Sequence, residues 1–360
     1  MSSPGKTLVA MSGGVDSSVA ALLLKEAGHE ITGIFICLGF ATDADTTSRA
    51  CCTPQDAADA RRVAQALGME LFVLNVGNAF DAIIADFASE YAAGRTPNPC
   101  IHCNTHIKFG RLLAHAKSLG YDRVATGHYA RCIMHNGEAR LARAYNVAKD
   151  QSYVLFELGA DERRRITFPL GEITNKEEVR NHARRLSLGV SEKPDSQEIC
   201  FVEGSDYAPV LQSRAPEALR HGPIVDTAGK IVGHHDGYAR FTIGQRRGLN
   251  VAVGERVYVT GINPHNATIT IGNHAATLSE GLMAQRAIWH TETPEQFEAM
   301  VQIRYNHRGA KALVKRLDAD RFQVTFAEPV HAVTPGQAAV LYQDDVIVGG
   351  GWIEAALRTV

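Results

Sequence analysis

From Thr7 to about Ala130 the chain alternates short apolar runs with segments of helical periodicity. The apolar runs predict strands over Thr7–Met11, Glu30–Ile36, Glu70–Asn75 and Arg123–Thr126. The periodic segments predict helices over Val15–Ala27, Gln55–Leu67, Phe80–Tyr91 and Ile107–Leu119. Strands that alternate with helices are typical of a parallel sheet covered on both faces, which binds ligands beyond the carboxyl ends of its strands.

After about Arg214 the helical periods nearly disappear, and short runs rich in β-branched residues are separated by glycines. A first β-rich block has predicted strands over Gly222–Val232, Tyr238–Ile243, Arg256–Ile262 and Thr268–Ile271. A second block begins near Ala287 and predicts a small antiparallel barrel. Its predicted strands are Met300–Tyr305, Ala312–Leu317, Arg321–Phe326, Ala339–Tyr342 and Val346–Gly350.

These changes of pattern predict three domains in an α/β plus all-β architecture. An N-terminal parallel-sheet domain covers 1–213, a central β-rich domain covers 214–280, and a C-terminal β-barrel domain covers 281–360. The joint between the two β-rich blocks lies around Ala275–Met283. With 360 residues, the chain is long enough for each domain to have its own core.

Composition and charge restrict the class of protein. Hydrophobic residues make up 45% of the chain and charged residues 21%, which is typical of a globular protein. No apolar run is long enough for a transmembrane helix, and Met1–Lys6 is too short and polar to be a signal peptide, so we expect a cytoplasmic protein. Because the net charge is only −2, any surface that binds nucleic acid must be local.

The segment Ser12–Ser18 joins a predicted strand to a predicted helix through two glycines. Glycines let the backbone approach a ligand closely, and the N–H groups of a turn and a helix start suit a phosphate. The segment is neither a Walker A loop nor a dinucleotide-binding fingerprint. An ordinary turn capped by Asp16 or Ser17 is the alternative. Gly127-His128-Tyr129 follows another strand, so the two segments are predicted to face one nucleotide.

The seven cysteines lack a secretory context, which favours reactive or metal-binding thiols over a disulfide framework. Cys100 and Cys103 lie in a loop that extends from Gly94 to Asn104. Their spacing fits half a zinc site, a redox pair or part of an iron–sulfur site. Cys200 follows a polar run and lies between apolar neighbours, which on its own favours a small buried core residue over a reactive thiol.

Ser12–Ser18 resembles the PP-loop of the ATP pyrophosphatase superfamily, and almost the whole chain is similar to the tRNA-specific 2-thiouridylases of the bacterial type. Many motifs in the same order carry this second resemblance. They are Cys51–Ala57, Gly94–Asn98, Cys103-Asn104, Ile107–Phe109, Ala125–Tyr129, Lys149–Tyr153, Phe168–Gly171, Asp195-Ser196, Ile199–Phe201, Thr242–Gly248, Ile303–Tyr305, Glu328–Val330 and Thr334–Gln337.

The resemblance implies a fold, a reaction and a set of roles. The first domain would be a PP-loop domain of the adenine nucleotide alpha hydrolase type. The enzyme would use ATP and Mg²⁺ to adenylate the C2 oxygen of the wobble uridine in tRNA and replace it by sulfur, releasing AMP and pyrophosphate. Cys200 would carry the sulfur as a persulfide supplied by a protein donor, and Cys103 would act as the nucleophile that releases it, directly or through a Cys103–Cys200 disulfide.

The resemblance also implies binding residues. Those for ATP would be Ala10, Met11, Ser12, Gly13, Gly14, Val15, Asp16, Ser17, Ile36 and Gly127. Those for the target base and the tRNA would be Asn98, Pro99, Cys100, His128, Lys149, Asp150, Gln151, Arg304, Tyr305 and Gln337. The expected partners are tRNA and a sulfur-donating protein, with no role for DNA or a membrane.

One position departs from the family, which usually has Asp where this chain has Cys100. The three cysteines Cys100, Cys103 and Cys200 could instead ligate a [4Fe–4S] cluster that carries sulfide, an alternative that we rank second. A PP-loop synthetase for a small carboxylate would explain the glycine loop but not the cysteines. A non-catalytic metal-binding RNA adaptor would explain the cysteines but not the loop.

Overall fold

The computed structural model describes residues 5–37, 53–185, 193, 199–202 and 206–358, which form two compact units. The first unit contains the described residues of Met1–Ile83, Cys100–Ser205 and Asp345–Ile347, and the second contains the rest. The motif residues Cys51-Cys52 and Asp195-Ser196 lie outside the described residues. Residues 39–52 also lie outside them, and they belong to a loop that the loss of periodicity predicts over Gly39–Pro54. Within the described ranges, no helix has the length and apolar character needed to cross a membrane.

The first unit is built on a five-stranded parallel sheet with the strand order β3-β2-β1-β4-β7. The strands in this part of the chain are β1 (Lys6–Met11), β2 (Glu30–Cys37), β3 (Leu71–Asn75), β4 (Arg123–Ala125), β5 (Ala130–His135), β6 (Glu138–Arg143) and β7 (Ile166–Thr167). Strands β5 and β6 form an antiparallel hairpin and do not belong to the parallel sheet. The helices up to position 185 are α1 (Val15–Glu26), α2 (Pro54–Ala66), α3 (Gly77–Ala92), α4 (Pro99–His102), α5 (Leu112–Ser118), α6 (Ala160–Arg165) and α7 (Lys176–Arg185).

The sheet is apolar on both faces because helices cover both. Val9 and Phe35 point to one face, where they pack with residues of α1 and α2. Leu8 and Ile34 point to the other face, where they pack with Leu112 and its neighbours in α5. All four predicted strands of this region are confirmed, each to within one residue at either end.

The predicted start of a helix at Ile107 is wrong. Helix begins at Pro99 as α4 and continues through a nine-residue π-helix, Cys103–Arg111, into α5. Pro99 fits a first helical position because the missing N–H is not needed there. A π-helix has more residues per turn than an α-helix, so the buried Ile101, Ile107 and Leu112 do not follow the 3.6-residue period. Cys100 and Cys103 therefore lie on a helix rather than in a loop.

The second unit contains a small sheet and a closed barrel. After α8 (Ala208–Arg214), the small sheet has the order β10-β11-β8-β9, and the barrel has the order β12-β15-β14-β13-β16-β17, closed by pairing of β17 with β12. These strands are β8 (Gly222–Val225), β9 (Ile231–His235), β10 (Tyr258–Asn263), β11 (Thr268–Gly272), β12 (Leu278–Trp289), β13 (Gln296–Gln302), β14 (Ala310–Arg316), β15 (Phe322–His331), β16 (Ala338–Gln343) and β17 (Val346–Leu357). The predicted C-terminal barrel is confirmed.

Two strand predictions for this unit are wrong. Gly222–Val232 is not one strand but contains β8 and the start of β9, which are joined by a turn and pair antiparallel. Tyr238–Ile243 is not a strand: Tyr238 starts a short 3₁₀ turn, its ring is buried, and its hydroxyl donates to the Ala92 carbonyl at 2.7 Å.

The predicted joint Ala275–Met283 contains the first residues of β12, which begins at Leu278 and pairs with β15, and its position as a domain boundary stays a prediction. Gly281 interrupts the alternation of apolar and polar residues along β12. A Cβ at this position would lie 2.2 Å from the Val324 carbonyl oxygen, so the strand needs glycine here.

We predict that Phe322→Ala destabilises the barrel. The Phe322 ring is fully buried in the barrel core and meets the Trp289 ring edge-on at 5.5 Å. Removing it should lower the free energy of unfolding by about 3–5 kcal/mol. Both tryptophans of the chain are in the barrel strands, so urea unfolding followed by tryptophan fluorescence measures this. Leu313→Ala, at a side chain that is 39% exposed, should cost less than about 1 kcal/mol, and equal losses for the two variants would contradict the prediction.

Candidate active site

The predicted phosphate loop follows β1 and leads directly into α1. Gly13 has a φ of +73°, and a Cβ there would lie 2.2 Å from the Asp56 carbonyl oxygen, so only glycine fits. The Ser17 hydroxyl accepts from the Ser12 N–H at 3.1 Å and donates to the Gly14 carbonyl at 3.2 Å. Helix α1 starts after Gly14 without a side-chain cap. The positive end of the helix therefore faces the loop, as an anion site requires.

The second predicted segment, Gly127-His128-Tyr129, adjoins this loop. Strands β1 and β4 are neighbours in the sheet and run in the same direction, so their ends meet. A Cβ on Gly127 would lie 2.7 Å from the Asp16 carbonyl carbon and from the Ser17 nitrogen. The two backbones are thus in direct contact, and the predicted juxtaposition of the two strand ends is confirmed.

Asp16 is held by two groups on different elements. Its Oδ1 accepts from the Tyr129 hydroxyl and from the Lys176 ammonium, both at 2.7 Å. The Tyr129 ring is buried, whereas about a third of the Asp16 side chain is exposed. The carboxylate therefore has a fixed position beside the loop and one side open to solvent.

Lys193 brings a further charge to the loop. Its ammonium donates to the Gly13 carbonyl at 3.1 Å, to Asp56 at 2.6 Å and to Asp59 at 2.8 Å. Burial opposes the charge of Asp59, but the hydrogen bond and charge of Lys193 outweigh it and lower the pKa of that carboxyl. Sequence reasoning missed both Lys193 and Lys176, because each is more than a hundred positions from its partners and no motif spacing relates them.

The remaining predicted ATP residues lie at the carboxyl edge of the sheet. Ala10 and Ile36 are half-buried on the face that α5 covers, close to the ends of β1 and β2. Met11 and Val15, which flank the loop, are buried in the apolar clusters beneath it. Of these four residues, Ala10 and Ile36 keep some exposed apolar surface at this edge, whereas Met11 and Val15 are buried.

The candidate cysteines differ in exposure. Cys103 is buried at the start of the π-helix, Cys100 is exposed one helical turn earlier, and Cys200 is half-buried. Phe201, next to Cys200, places its ring edge-on to the Phe80 ring at 5.6 Å. Among the residues that the structure describes, these cysteines included, no group of three or more His, Cys, Asp and Glu side chains is placed to hold a metal ion. The three thiols therefore do not fit a cluster in this arrangement.

His128 lies between the loop and the π-helix segment. Its Nδ1 is 2.7 Å from the Thr126 hydroxyl, and its ring packs against the rings of Phe109 and Phe168. Burial, and then the nearby charge of Lys108, lower the pKa of His128 well below its ordinary value. The side chain is a neutral imidazole whose position is fixed by packing and by Thr126.

Lys149-Asp150-Gln151 forms a turn that side-chain hydrogen bonds to the backbone hold in place. The Asp150 carboxylate accepts from the Ala144 and Ser152 backbone N–H groups and pairs with Arg143 at 3.1 Å, although burial raises its pKa. Gln151 accepts from the Tyr129 N–H at 2.9 Å. Asp150 therefore folds the turn, and Gln151 joins it to the residue after His128.

The other predicted tRNA residues belong to the second unit. Asn98 and Pro99 follow a segment that Gln337 contacts, and Arg304 and Tyr305 lie in the loop between β13 and β14. The buried Gln302 donates from Nε2 to the carbonyls of Arg304 at 3.3 Å and Tyr305 at 3.0 Å. This loop backbone is thus held in place, with Tyr305 42% exposed.

Comparisons with known proteins cover the whole chain. Residues 5–204 match a protein-family model described as a tRNA methyl transferase HUP domain, 209–273 match its PRC-barrel domain, and 279–353 match an aminomethyltransferase beta-barrel domain. The chain is 46% identical to the tRNA-specific 2-thiouridylase MnmA of Carboxydothermus hydrogenoformans, with 98% of each protein covered. It is 45% identical to MnmA of Geotalea uraniireducens, with 98% of this chain and 96% of the relative covered.

A likeness to solved structures is much weaker. NMN synthetase from Francisella tularensis is 19% identical, with 57% of this chain and 72% of that chain covered and a TM-score of 0.34. At that score the likeness carries no functional argument.

We predict that His128 remains neutral well below pH 6.5. A histidine that binds a proton in the unfolded chain but not in the fold adds stability above about pH 6.5, and this stability is lost as the pH falls towards the folded pKa. NMR of the histidine rings should show one resonance that is unchanged between about pH 5.5 and 8 and is absent in His128→Gln. Lys108→Met should leave it neutral at pH 6.5, because burial is the larger cause. A midpoint near 6.5 in the unchanged protein would contradict this.

Proposed function

The chain belongs to the tRNA-specific 2-thiouridylase family, and from this premise we propose how it replaces the C2 oxygen of the wobble uridine in tRNA by sulfur. ATP is split to AMP and pyrophosphate in the process. The observation that carries the proposal is the contact of Gly127 with the backbone of Asp16 and Ser17. That contact supports a single nucleotide site formed by two strand ends.

The first step activates the uridine. A carbonyl oxygen is a poor leaving group, whereas AMP is a good one, so attack of the C2 oxygen on the α-phosphate of ATP makes that oxygen replaceable. The backbone of Ser12–Ser17 and the start of α1 would bind the departing pyrophosphate. Lys176 holds Asp16, and Lys193 holds the Gly13 carbonyl, so the loop keeps its shape while the charge on the phosphates changes.

Mg²⁺ would enter this site together with the nucleotide. Asp16, Asp56 and Asp59 are paired with Lys176, Lys193 and Arg62, so they do not form a separate metal site, but Asp16 keeps one side open to solvent where its carboxylate could join phosphate oxygens as a ligand. When bound, Mg²⁺ would spread the charge of the leaving pyrophosphate. This is consistent with an ATP site that binds the nucleotide together with its cation.

The second step delivers sulfur. We propose that Cys200 accepts a sulfur atom from a protein donor as a persulfide, and that the outer sulfur passes to C2 while AMP leaves. The outer sulfur is still bonded to the Sγ of Cys200 when it attacks C2, and AMP leaves with the former C2 oxygen. The Cys103 thiolate then attacks the Sγ of Cys200, the bond from Sγ to the outer sulfur breaks with its electron pair passing to the sulfur on C2, and the resulting Cys103–Cys200 disulfide is reduced by an external thiol before the next turnover. Cys103 is buried in a helix and Cys200 is half-buried, which would protect the reactive sulfur from solvent.

The target base must leave its stack to reach these groups. Asn98, Pro99 and Cys100 are proposed to contact the extruded base, and His128 is proposed as a further contact to the tRNA. Lys149 and Gln151 would contact the tRNA from the turn that Asp150 folds. Arg304 and Tyr305 would contact it from the barrel, where a half-buried guanidinium and an exposed ring suit a phosphate and a base or sugar.

The route through Cys200 predicts a specific pattern among cysteine variants. Cys200→Ser and Cys103→Ser should each lower thiolation more than about a hundredfold, as loss of a nucleophile does. Cys132→Ser is the matched control, because burial raises the pKa of Cys132 to about 12 and keeps that thiol protonated. Mass spectrometry of tRNA nucleosides after reaction with ATP and a sulfur source measures the product.

Cys100→Asp separates the persulfide route from the cluster alternative. The persulfide route predicts that this variant still thiolates tRNA, since Cys100 carries no sulfur in it. A cluster held by Cys100, Cys103 and Cys200 predicts loss of activity together with loss of bound iron and visible absorbance after anaerobic preparation. Full activity of Cys200→Ser would contradict the proposed carrier, and turnover of ATP without any RNA would contradict the proposed substrate.

Arg304→Ala should weaken tRNA binding and reduce its dependence on salt. Removing one phosphate contact lowers the slope of log K against log salt by about 1. Burial, the larger of the two causes that lower the pKa of the neighbouring His307 to about 4, is still present in the variant, so His307 should not replace the lost charge. Arg304→Lys keeps the charge and should keep the slope. Filter binding at several salt concentrations tests this, and an unchanged slope in Arg304→Ala would refute the contact.

A further inference from the structure

We infer that Gln337 is a positioning residue that holds the segment leading to the base site, rather than a direct contact to tRNA. The inference deepens the proposed function and rests on it for the role of Asn98 and Pro99. It concerns contacts that all lie within the second unit, which includes Ile84–Pro99 and the barrel residues up to Asp344.

The turn before β16 hydrogen-bonds to both backbone polar groups of Thr96, its N–H and its carbonyl. The Thr96 N–H donates to the Pro335 carbonyl at 2.9 Å. The Gln337 Nε2 donates to the Thr96 carbonyl at 2.9 Å and to the Pro97 carbonyl at 3.1 Å. A side-chain amide nitrogen has two hydrogens, so these two bonds use its whole capacity to donate. The donors of Gln337 are thus committed to the protein.

The held segment needs an outside donor. Pro97 and Pro99 have no N–H, so Asn98 is the one residue from 97 to 99 whose backbone can donate. Such a stretch cannot fix its own path by a ladder of hydrogen bonds. The amide of Gln337 supplies the missing donors directly before the residues proposed to contact the base.

The turn itself is shaped for this contact. Gly336 has a φ of +89°, and a Cβ on it would lie 2.9 Å from the Thr96 carbonyl oxygen and 3.0 Å from the Arg95 Cβ. The turn is also anchored to the barrel, because Gly336 donates to Ile353 at 3.0 Å and Ile353 donates back to Gln337 at 2.8 Å. The backbone of the held segment thus rests against a rigid barrel strand.

The small sheet holds the same segment further upstream. The Tyr238 hydroxyl donates to the Ala92 carbonyl at 2.7 Å, and Gly94 packs so closely that a Cβ would lie 3.0 Å from the Pro264 ring. The region from Ala92 to Pro97 is therefore fixed by both β-rich parts of the unit. Gln337 provides the last fixed point before the base-contacting residues.

Gln337 and the proposed tRNA loop lie at the same end of the barrel. Strand β16 starts directly after Gln337 and pairs with β13 so that Val340 is opposite Gln302, two residues before Arg304. One pair of neighbouring strands thus carries both the loop proposed to bind tRNA and the turn that holds Thr96. Binding at the first would align the tRNA with a base site positioned by the second.

The test compares Gln337→Met with Gln343→Met. Methionine keeps the size and neutrality of the side chain and removes the donor. Gln343, at the far end of β16, is exposed and donates to the Glu298 carbonyl at 3.5 Å. Gln337→Met should lower the single-turnover thiolation rate at saturating tRNA about tenfold or more, because the base site is misplaced. Its tRNA affinity and salt slope should stay within about twofold of the unchanged protein, since no phosphate contact is lost. Gln343→Met should match the unchanged protein in both.

Hydrogen exchange of tRNA-free protein gives a readout that does not depend on activity. The peptide that contains Thr96 and Asn98 should exchange about ten times faster in Gln337→Met, and the barrel peptides should not change, which excludes general unfolding. Weaker tRNA binding with a normal rate at saturation would overturn the inference in favour of a direct contact. An exchange rate of this peptide in Gln337→Met equal to that in the protein without the substitution would overturn the inference as well.

If the protein without any substitution did not thiolate tRNA at all, the proposed function would fail. The exchange result would still decide whether Gln337 holds the segment.

Discussion

The candidate chemistry of the first unit depends on how closely two neighbouring parallel strands end together. At the end of β4, the backbone of Gly127 touches the backbone of Asp16 and Ser17, and there is no room for a side chain between them. This contact fixes His128 and Tyr129 relative to the phosphate loop, because they are the next two residues of the chain. Tyr129 then holds Asp16 through its hydroxyl. The nucleotide and base sides of the proposed site are therefore parts of one backbone arrangement rather than two separately positioned loops.

Lys193 extends this arrangement to the sulfur carrier. It is bonded to the Gly13 carbonyl and to two carboxylates of α2, and Cys200 follows it seven positions along the chain. The two steps of the proposed reaction need the nucleotide and the sulfur at one carbon atom in succession. In the proposed reaction, the ion pairs of Lys193 would fix a point seven residues before the proposed carrier at the phosphate loop.

Much of this could be predicted from the sequence, but only where the signal is local. Four of the five described strands of the parallel sheet follow directly from apolar runs, whereas β7, which is only two residues long, was not predicted. The adjacency of Gly127 to the loop follows from the shared direction of β1 and β4. The hairpin of β5 and β6 was missed although Asn136-Gly137, both with positive φ, is a strong hairpin signal. The helix start at Pro99 was missed because the π-helix changes the spacing of apolar positions. Lys193 could not be found, since its partners are set by the tertiary fold. The predicted domain boundaries after 213 and 280 stay predictions.

The prolines of the segment before α4 explain why the β-rich unit matters for chemistry at a base. Pro97 and Pro99 limit the conformations of that segment and so reduce the entropy lost when it is ordered, and they leave Asn98 as the one backbone donor from 97 to 99. The segment is therefore held through its carbonyl groups, and Gln337, anchored through Ile353 to the last barrel strand, donates to those of Thr96 and Pro97. A loop of this kind is stiff but not self-supporting. The barrel therefore contributes more than a surface for tRNA: it completes the hydrogen bonding of a segment whose own sequence prevents it from doing so.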